Sequence, residues 1–255
     1  MNNVGNDFES SQENIICQQT PPLISIVMPA HNEAETIRDV VTSFFNEVAT
    51  KLPSVLVVAE DGSADKTPDI LSSLSKELPI TLLSSRERKG YAKGVRDALK
   101  HCKEEWVFFS DSDGQYSPSD FWTLWENRYG QDMIIGRKIS RNEGFHRIIL
   151  SKGFHKIFNN LFNLNFHDAD CGFRLIRREV IQSVVDEAKI LEYSFWAEFT
   201  IRAALKHFNI LEVPINHANR ENGNSHIYPT SKLPLIILSQ LRGIANLYSN
   251  VRRPE

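Results

Sequence analysis

The amino-acid sequence predicts an α/β fold in which a mainly parallel central sheet is flanked by helices. Four short runs between residues 23 and 113 are continuously apolar, as expected of strands buried on both faces. Amphipathic segments separate these runs, which is typical of crossover helices. Polar residues follow three of the strands directly, and parallel sheets bind ligands at the carboxyl ends of their strands. Together these three observations indicate a nucleotide-binding architecture.

The predicted elements alternate along the first half of the chain. The predicted strands are 24–30 (ISIVMPA), 55–60 (VLVVAE), 80–85 (ITLLSS) and 105–113 (EWVFFSDSD). The predicted helices are an amphipathic segment from Asn32 through Val48, a helix from about Pro68, and a helix over 89–100 entered through a glycine. After Gln115 the alternation loosens, as if a second half were built beside the first sheet.

Composition restricts the class of protein. The 255 residues are 41% hydrophobic and 24% charged, which excludes disordered, collagenous and fibrous classes. The net charge of -3 gives no whole-chain signal for binding nucleic acid. Cysteines at positions 17, 102 and 171 lie far apart without a CxxC pair, which excludes a disulfide framework and a zinc cage of the usual spacing. We therefore expect a reducing compartment.

The chain divides by composition into three parts. We expect a disordered polar arm over 1–22, a nucleotide-binding domain over 23–228, and an amphipathic helix with a tail over 229–255. No run approaches the ~20 apolar residues of a membrane-spanning helix, and the N-terminus lacks the basic start of a secretory signal. We expect a cytoplasmic protein that is soluble or peripherally attached to the cytoplasmic face of a membrane.

Two regions keep alternative interpretations. Residues 137–178 carry nine Lys or Arg against three acids, which suits either a solvated basic face or a site for a phosphate-bearing partner. The apolar residues of 229–248 recur near helical spacing, which suits either packing on the domain or contact with a membrane. The aromatic-rich segments 121–125 and 154–166 are core on the simplest interpretation, and contact with a lipid chain is the alternative.

Two polar clusters suggest chemistry. Asp111 and Asp113 follow an apolar strand, and Gln115 adds a neutral oxygen, a donor set that suits Mg²⁺ or Mn²⁺ bridging nucleotide phosphates. The segment 60–67 offers carboxylates to a base or ribose, or forms a turn and helix cap through Asp65 or Thr67. Neither GxGxxG nor GxxxxGK[ST] follows a strand, which disfavours dinucleotide oxidoreductases and P-loop nucleotide hydrolases.

The order of motifs resembles the inverting family 2 glycosyltransferases of GT-A fold. The motifs are ISIVMPAHNEAETI, VVAEDGSADKT, KGYAKG, DSDGQYSPSD, GRK, DADCGFR, FWAEF and VPINHANRENGNS, between about Ile24 and Ser225. Within that family the chain most resembles the polyprenyl-phosphate branch, which includes the dolichol-phosphate mannose and glucose synthases and their bacterial undecaprenyl-phosphate relatives. Eight matches in order are much more specific than any one of them.

The resemblance implies a role for each matching position. Pro29, His31 and Glu33 would line the nucleotide pocket, and Asp61 would bind the base or ribose. The metal and the donor diphosphate would be held by Asp111, Asp113 and Gln115. Arginines at the acceptor phosphate would be Arg137 and Arg147, and the loop that closes over the diphosphate would contain Arg220 and Ser225.

The chain also departs from the family pattern. Glu60 stands where the family usually has the first Asp of DDGS, and His226 stands where Lys or Arg is frequent. A histidine there would make the hold on phosphate weaker or pH-dependent, because its side chain titrates near neutrality. Membrane-spanning helices follow the catalytic domain in many bacterial relatives and are missing from this sequence. The resemblance therefore implies peripheral attachment, or an anchor supplied by a partner or by a longer natural chain.

Two further carboxylates have roles that depend on the acceptor. A sugar hydroxyl needs a general base, for which Asp168 and Glu198 are candidates, whereas a phosphate oxygen is already anionic. With a phosphate acceptor, Asp168 would orient arginines or sugar hydroxyls. The structural alternatives are that Asp168 pairs with Arg174 or Arg177, and that Glu198 pairs with Arg202 at i+4.

The sequence therefore predicts an inverting, metal-dependent transferase. It would move a hexose from a UDP- or GDP-linked donor to a polyprenyl phosphate, with Asp113, Asp168 and Arg220 as the catalytic residues. The alternatives are transfer to a sugar hydroxyl of a glycan or glycolipid, and a non-catalytic subunit that binds nucleotide-sugar. A nucleotidyltransferase is disfavoured because the first strand lacks a glycine- and lysine-rich phosphate loop.

Overall fold

The computed structural model describes residues 23–139, 145–218 and 233–251. The strands are β1 (Ile24–Ala30), β2 (Ser54–Asp61), β3 (Ile80–Ser85), β4 (Trp106–Ser110), β5 (Met133–Lys138), β6 (Phe173–Arg177) and β7 (Ile210–Ile215). The helices are α1 (Ile37–Phe44), continued by a π-helical turn (Phe45–Ala49), α2 (Thr67–Glu77), α3 (Tyr91–His101), α4 (Asp120–Glu126), α5 (Phe145–Phe162), α6 (Arg178–Val184), α7 (Phe195–Leu205) and α8 (Leu233–Val251).

All seven strands form one sheet in the order β3-β2-β1-β4-β6-β5-β7. Only β6 among the described strands runs antiparallel to its neighbours, β4 and β5. The predicted mainly parallel α/β sheet is therefore confirmed. The irregular second half does not start a separate sheet, because β5, β6 and β7 extend the first sheet beyond β4.

The central strands are buried along their whole length. Every residue of β4 is buried, and in β1 only Pro29 is partly exposed. Helices on both sides of the sheet explain why the apolar runs in the sequence are continuous rather than alternating. The four predicted strands and three predicted helices all occur, with shifted ends: the first helix begins at Ile37, and the fourth strand ends at Ser110.

A second apolar cluster joins α5, α7 and α8. Phe158, Ile201 and Leu247 are fully buried in it. Burial of α8 residues there shows that this helix packs on its own domain, while Leu238 and Leu241 on α8 are exposed. The aromatic-rich segments lie in the core through buried residues such as Phe121, as the simpler interpretation predicted. Within the described ranges, no helix is long and apolar enough to cross a membrane.

Candidate active site

The carboxyl ends of β1, β2 and β4 meet at one edge of the sheet, as their parallel pairing requires. Pro29 lies near the end of β1, next to Ala59 of β2 in register. The Ser112 hydroxyl donates to the Pro29 carbonyl and so ties the segment after β4 to β1. The polar segments that follow these three strands are therefore neighbours, as predicted.

Asp61 ends β2 and is held by the start of α3. Its Oδ1 accepts a hydrogen bond of 2.7 Å from the Lys89 amide, and its Oδ2 accepts one of 2.9 Å from the Gly90 amide. Gly62 has φ +58°, and a Cβ there would lie 2.5 Å from the Arg88 amide nitrogen, so this turn requires glycine. The loop before α3 therefore fixes the carboxylate that the sequence predicts to meet a base or ribose.

His31 lies beside this carboxylate turn. Its Nδ1 is 2.8 Å from the Asp61 carbonyl oxygen, which as an acceptor fixes the protonated tautomer at Nδ1. The ring is thus oriented by backbone at the mouth of the predicted nucleotide pocket.

The segment 60–67 performs the turn and capping role that was the alternative to ligand binding. Asp65 Oδ1 accepts from the Thr67 amide at 2.9 Å at the start of α2, and the Thr67 hydroxyl accepts from the Glu33 amide at 2.9 Å. Glu60 is buried and accepts from the Ser63 amide. The longer arm of Glu60 therefore folds back onto its own turn.

Asp111 follows β4 and is enclosed on two sides. Its Oδ1 accepts from the Tyr91 hydroxyl at 2.8 Å. On the other side lies Gly172, where a Cβ would be 1.9 Å from Asp111 Oδ2. Burial raises the pKa of Asp111 to about 7, and the neighbouring Asp113 carboxylate and Asp170 add to the increase.

The DADCGFR segment brings a further carboxylate to this cluster. Asp170 Oδ1 accepts from the Ala197 amide at 3.0 Å in the first turn of α7. Burial raises the pKa of Asp170 to about 6, although the Ala197 N–H and the Arg174 charge act against the increase. Sequence analysis selected Asp168 from this motif and missed Asp170. The repeated aspartate of the motif was the available signal.

Asp168 is buried, and its amide donates to Glu212 Oε1 at 2.7 Å. The guanidinium of Arg174 donates to the Ala169 and Cys171 carbonyls and to the Thr200 hydroxyl. It also lies 4.1 Å from the centre of the Trp196 ring. These contacts make the turn between Asp168 and β6 a rigid wall of the site.

Gln115 connects the predicted metal-binding motif to the segment after β7. Its Nε2 donates to the Ala218 carbonyl at 2.9 Å, and its amide donates to Asp113 Oδ1 at 3.2 Å. In turn, the Ala218 amide donates a hydrogen bond of 2.9 Å to the Gln115 carbonyl. These bonds hold Ala218, which precedes residues outside the described ranges, beside the segment that contains Asp113 and Gln115.

Comparison with known proteins identifies the family of this chain. A sequence model described as "Glycosyl transferase family 2" matches residues 25–185, which is more than half of the chain. The chain belongs to glycosyl transferase family 2. The predicted resemblance is thereby confirmed, and the acidic edge of the sheet is the expected location of its transfer chemistry.

Three curated relatives are similar to this transferase over most of its length. It is 28% identical over 214 residues to the polyprenol monophosphomannose synthase of Mycolicibacterium smegmatis, covering 78% of this chain and 79% of the relative. It is 24% identical to the dolichyl-phosphate beta-glucosyltransferase of Dictyostelium discoideum (76% and 65%). It is 25% identical to the dolichol-phosphate mannosyltransferase of Pyrococcus furiosus (80% and 59%). The match thus spans less than two thirds of the last two relatives.

Solved structures confirm the GT-A fold. The glucosyl-3-phosphoglycerate synthase of Mycobacterium tuberculosis, crystallised with Mn²⁺ and UDP-glucose, superposes with a TM-score of 0.66 at 19% identity, over 92% of this chain and 80% of that one. The mannosyl-3-phosphoglycerate synthase of Rubrobacter xylanophilus gives 0.65 at 15% identity, over 92% and 76%.

The carboxylates of the transferase suit a hard divalent cation. Mg²⁺ and Mn²⁺ prefer oxygen ligands, and Mg²⁺ in nucleotide sites usually takes one or two carboxylates together with substrate phosphates. Asp111 and Asp113 provide that number. Across the residues that the structure describes, no three His, Cys, Asp or Glu side chains converge as a complete metal cage. These two oxygen ligands are of the type and number that Mg²⁺ takes in nucleotide sites.

Glu198 forms the ion pair with Arg202 that the sequence offered as the alternative to a role at the substrate. It is 0% exposed, and its Oε1 accepts from Arg202 Nε at 2.8 Å. Its Oε2 accepts from the amides of Ile190 and Leu191, both at 2.7 Å. The structure does not bring Glu198 to the cluster around Asp111, and its carboxylate joins α7 to the preceding turn.

The two cations at the end of β5 lie on opposite faces of the strand. Arg137 is exposed, whereas Lys138 is half-buried. The positive charge of Lys138 opposes the rise in the pKa of Asp111 and of Asp170 that burial causes. Sequence analysis selected Arg137 and missed Lys138, although both belong to the GRK motif. Arg147 belongs to α5, but its side chain lies outside the described residues, as do Arg220 and Ser225 entirely.

Proposed function

We propose that this transferase moves a hexose, with inversion at the anomeric carbon, from a nucleotide-sugar to a polyprenyl phosphate. Three curated relatives, none more than 28% identical, carry names that state a polyprenol or dolichyl phosphate acceptor. The structural neighbours carry names with a phosphoglycerate acceptor, but at identities below 20% they support the fold alone.

The names of the three curated relatives carry the acceptor assignment, and the ion pair of Glu198 with Arg202 supports it by occupying one of the two candidate bases. A hydroxyl acceptor needs a general base, while a phosphate acceptor does not, because its attacking oxygen is already anionic. Glu198 was one of two candidate bases, and its two oxygens accept three backbone amides and Arg202. A carboxylate held in this way has no access to an acceptor proton.

The residues of the chain have distinct roles in this reaction. Asp61 and His31 hold the nucleoside, and Asp111 and Asp113, with Gln115, bind the cation and the donor diphosphate. The acceptor oxygen forms a bond to C1 as the bond from C1 to the diphosphate breaks, and the electron pair leaves with the diphosphate. A bound Mg²⁺ or Mn²⁺ supplies charge stabilisation for that leaving group.

Basic residues of the chain would balance the negative charge of the acceptor phosphate and of the departing diphosphate. Lys138 faces the carboxylate cluster, and Arg137 is exposed to meet the acceptor phosphate. Arg147 is assigned to the same acceptor phosphate. Arg220 and Ser225 are assigned to the departing diphosphate on the family motif, and Asp168 is assigned to orienting sugar hydroxyls or arginines.

The test is transfer of labelled sugar from a panel of UDP- and GDP-sugars to short-chain polyprenyl phosphate, with and without Mg²⁺ or Mn²⁺. A second set of reactions contains 3-phosphoglycerate instead of the lipid. Asp113→Asn is the inactive variant, and Asp186→Asn is its matched control, because Asp186 pairs with Lys100 on the surface.

We expect a metal-dependent, organic-extractable product with one class of donor, which Asp113→Asn abolishes and Asp186→Asn retains. Transfer to 3-phosphoglycerate alone would overturn the acceptor assignment and keep the donor site. Failure of all donors with both acceptors, in a folded protein, would favour the non-catalytic alternative.

A further inference from the structure

Tyr91 joins the two halves of the candidate site. It is the first residue of α3, and its hydroxyl donates to Asp111 Oδ1 at 2.8 Å. The same oxygen accepts from Trp196 Nε1 at 2.9 Å. The hydroxyl therefore donates one hydrogen bond and accepts another at the same time, so its proton points towards the carboxylate.

The indole that orients this hydroxyl is itself immobilised. Trp196 is 2% exposed, and its ring packs edge-on against Phe109 of β4 with centroids 4.6 Å apart. The guanidinium of Arg174 covers the ring at 4.1 Å. The next residue, Ala197, donates its amide to Asp170. The start of α7 therefore anchors the tyrosine from a rigid, buried position.

The segment from Lys89 to Tyr91 holds two carboxylates of the predicted donor site, Asp61 and Asp111. Its first two amides bind Asp61, and its third residue binds Asp111 through the hydroxyl. Three consecutive residues thereby fix the distance between the nucleoside end and the metal end of the site. A carboxylate held by a neutral donor on one oxygen loses fewer rotational states when it binds a cation.

We propose that Tyr91 is a positioning residue for the divalent cation of this transferase, acting through Asp111 and oriented by Trp196. This inference rests on the proposed metal-dependent function. Hydrogen-bond partners of metal-binding carboxylates typically change metal affinity by about 10-fold to 100-fold when they are removed. The hydroxyl orients Asp111 without contacting the reacting atoms, so its loss weakens cation binding more than turnover.

The experiment measures Mn²⁺ binding directly, from the electron paramagnetic resonance signal of free Mn²⁺ titrated with protein and UDP. The variants are Tyr91→Phe, Trp196→Phe, the double variant and Asp111→Asn. The matched control is Tyr129→Phe, because Tyr129 is 75% exposed and its hydroxyl accepts a hydrogen bond from Arg128 on the surface. Circular dichroism and thermal unfolding confirm that each variant is folded at the assay temperature.

We expect Tyr91→Phe to weaken Mn²⁺ binding about tenfold and Tyr129→Phe to leave it unchanged. In transfer assays Tyr91→Phe raises the half-saturating Mn²⁺ concentration by the same factor, and turnover at saturating Mn²⁺ stays within about twofold of wild type. Because Trp196 acts through Tyr91, the double variant binds Mn²⁺ as Tyr91→Phe does.

Two results overturn the proposal in different ways. If the wild-type protein adds no Mn²⁺ binding beyond that of UDP alone, the metal-dependent function and the role of Tyr91 both fail. If the wild type binds Mn²⁺ and Asp111→Asn does not, while Tyr91→Phe binds it normally, the metal site stands and the role of Tyr91 alone is wrong. Additive losses in the double variant would remove Trp196 from the proposal.

Discussion

Glu198 and Arg202 form a buried ion pair one helical turn apart in α7, with 2.8 Å between Oε1 and Nε. Removing one partner of such a pair leaves the other charge buried and uncompensated. We expect Glu198→Gln to lower the free energy of unfolding by about 3 kcal/mol, measured by urea denaturation. Turnover of the folded fraction should stay near that of the wild type, because the carboxylate does not reach the acceptor.

Glu187→Gln is the matched control for this prediction. Glu187 also contacts Arg202, at 3.3 Å, but its side chain is 44% exposed. An exposed partner contributes little, so its loss should cost less than about 1 kcal/mol. A Glu198→Gln protein with normal stability and no transfer would return Glu198 to a role at the substrate.

Gly172 sets how closely the DADCGFR turn approaches Asp111. A Cβ at this position would lie 1.9 Å from Asp111 Oδ2, so Gly172→Ala must displace the carboxylate or the turn. A displacement of about 1 Å in a catalytic group costs on the order of 100-fold in rate. We expect Gly172→Ala to lose transfer activity to that extent in steady-state assays.

Gly153→Ala serves as the comparison for this loss. Gly153 lies within α5, and among the described residues no atom beyond its chain neighbours and its own helix backbone stands within 4 Å of the position that its Cβ would take. Alanine also favours helix over glycine by about 1 kcal/mol. Activity should therefore be retained with equal or higher stability. Equal activity of the two variants would show that Asp111 tolerates displacement and is not a ligand.

The strands that the sequence predicts well are those with long apolar runs. β1, β2 and β4 are buried on both faces, so their composition alone marks them. β5 and β6 carry arginines, and β6 pairs with β4 in antiparallel register across distant parts of the chain, such as Trp106 with Arg177. Local periodicity contains no information on such pairing, so the continuation of one sheet was not predicted.

The candidate site shows the same division between local and long-range information. Asp111 and Asp113 are recognisable because they follow a buried strand directly. Tyr91, Asp170 and Lys138 act through neighbours supplied by other elements, so only the folded chain reveals them. The motifs KGYAKG, DADCGFR and GRK each contained the missed residue. Composition and spacing gave no reason to prefer Tyr91 or Lys138 over the adjacent residues, whereas the repeated aspartate of DADCGFR was a signal for Asp170.

Replacing Arg137 and replacing Lys138, the two cations of the GRK motif, should change different kinetic parameters. Arg137 is exposed and is proposed to meet the acceptor phosphate, while Lys138 acts on the carboxylate cluster. We expect Arg137→Met to raise the KM for polyprenyl phosphate about tenfold, the equivalent of about 1.4 kcal/mol. Lys138→Met should instead lower turnover and weaken donor binding by a similar factor.

Initial rates measured over a matrix of donor and acceptor concentrations test this separation. Each variant is the control for the other, because both remove one positive charge from neighbouring positions of β5. Identical effects on both substrates in both variants would mean that the two charges act only through the general field of the site.

The thiols of Cys102 and Cys171 should be unreactive in the folded protein. Burial raises the pKa of each thiol from 9.0 to about 11. A higher pKa disfavours the thiolate, which is the reactive form, so the reactive fraction near neutral pH falls about 100-fold. Both side chains are also buried, which excludes the reagent itself.

Labelling with a thiol-reactive aromatic disulfide tests this expectation in a Cys17→Ser background. Neither cysteine should react on the timescale in which an exposed cysteine introduced by Ser72→Cys is fully labelled, and both should react in denaturant. Cys171 is part of the turn that touches Asp111, and the Tyr116 hydroxyl lies 3.6 Å from its sulfur. Selective labelling of Cys171 in the native protein would therefore show that this wall of the site opens, and binding of UDP with Mn²⁺ should then slow the reaction.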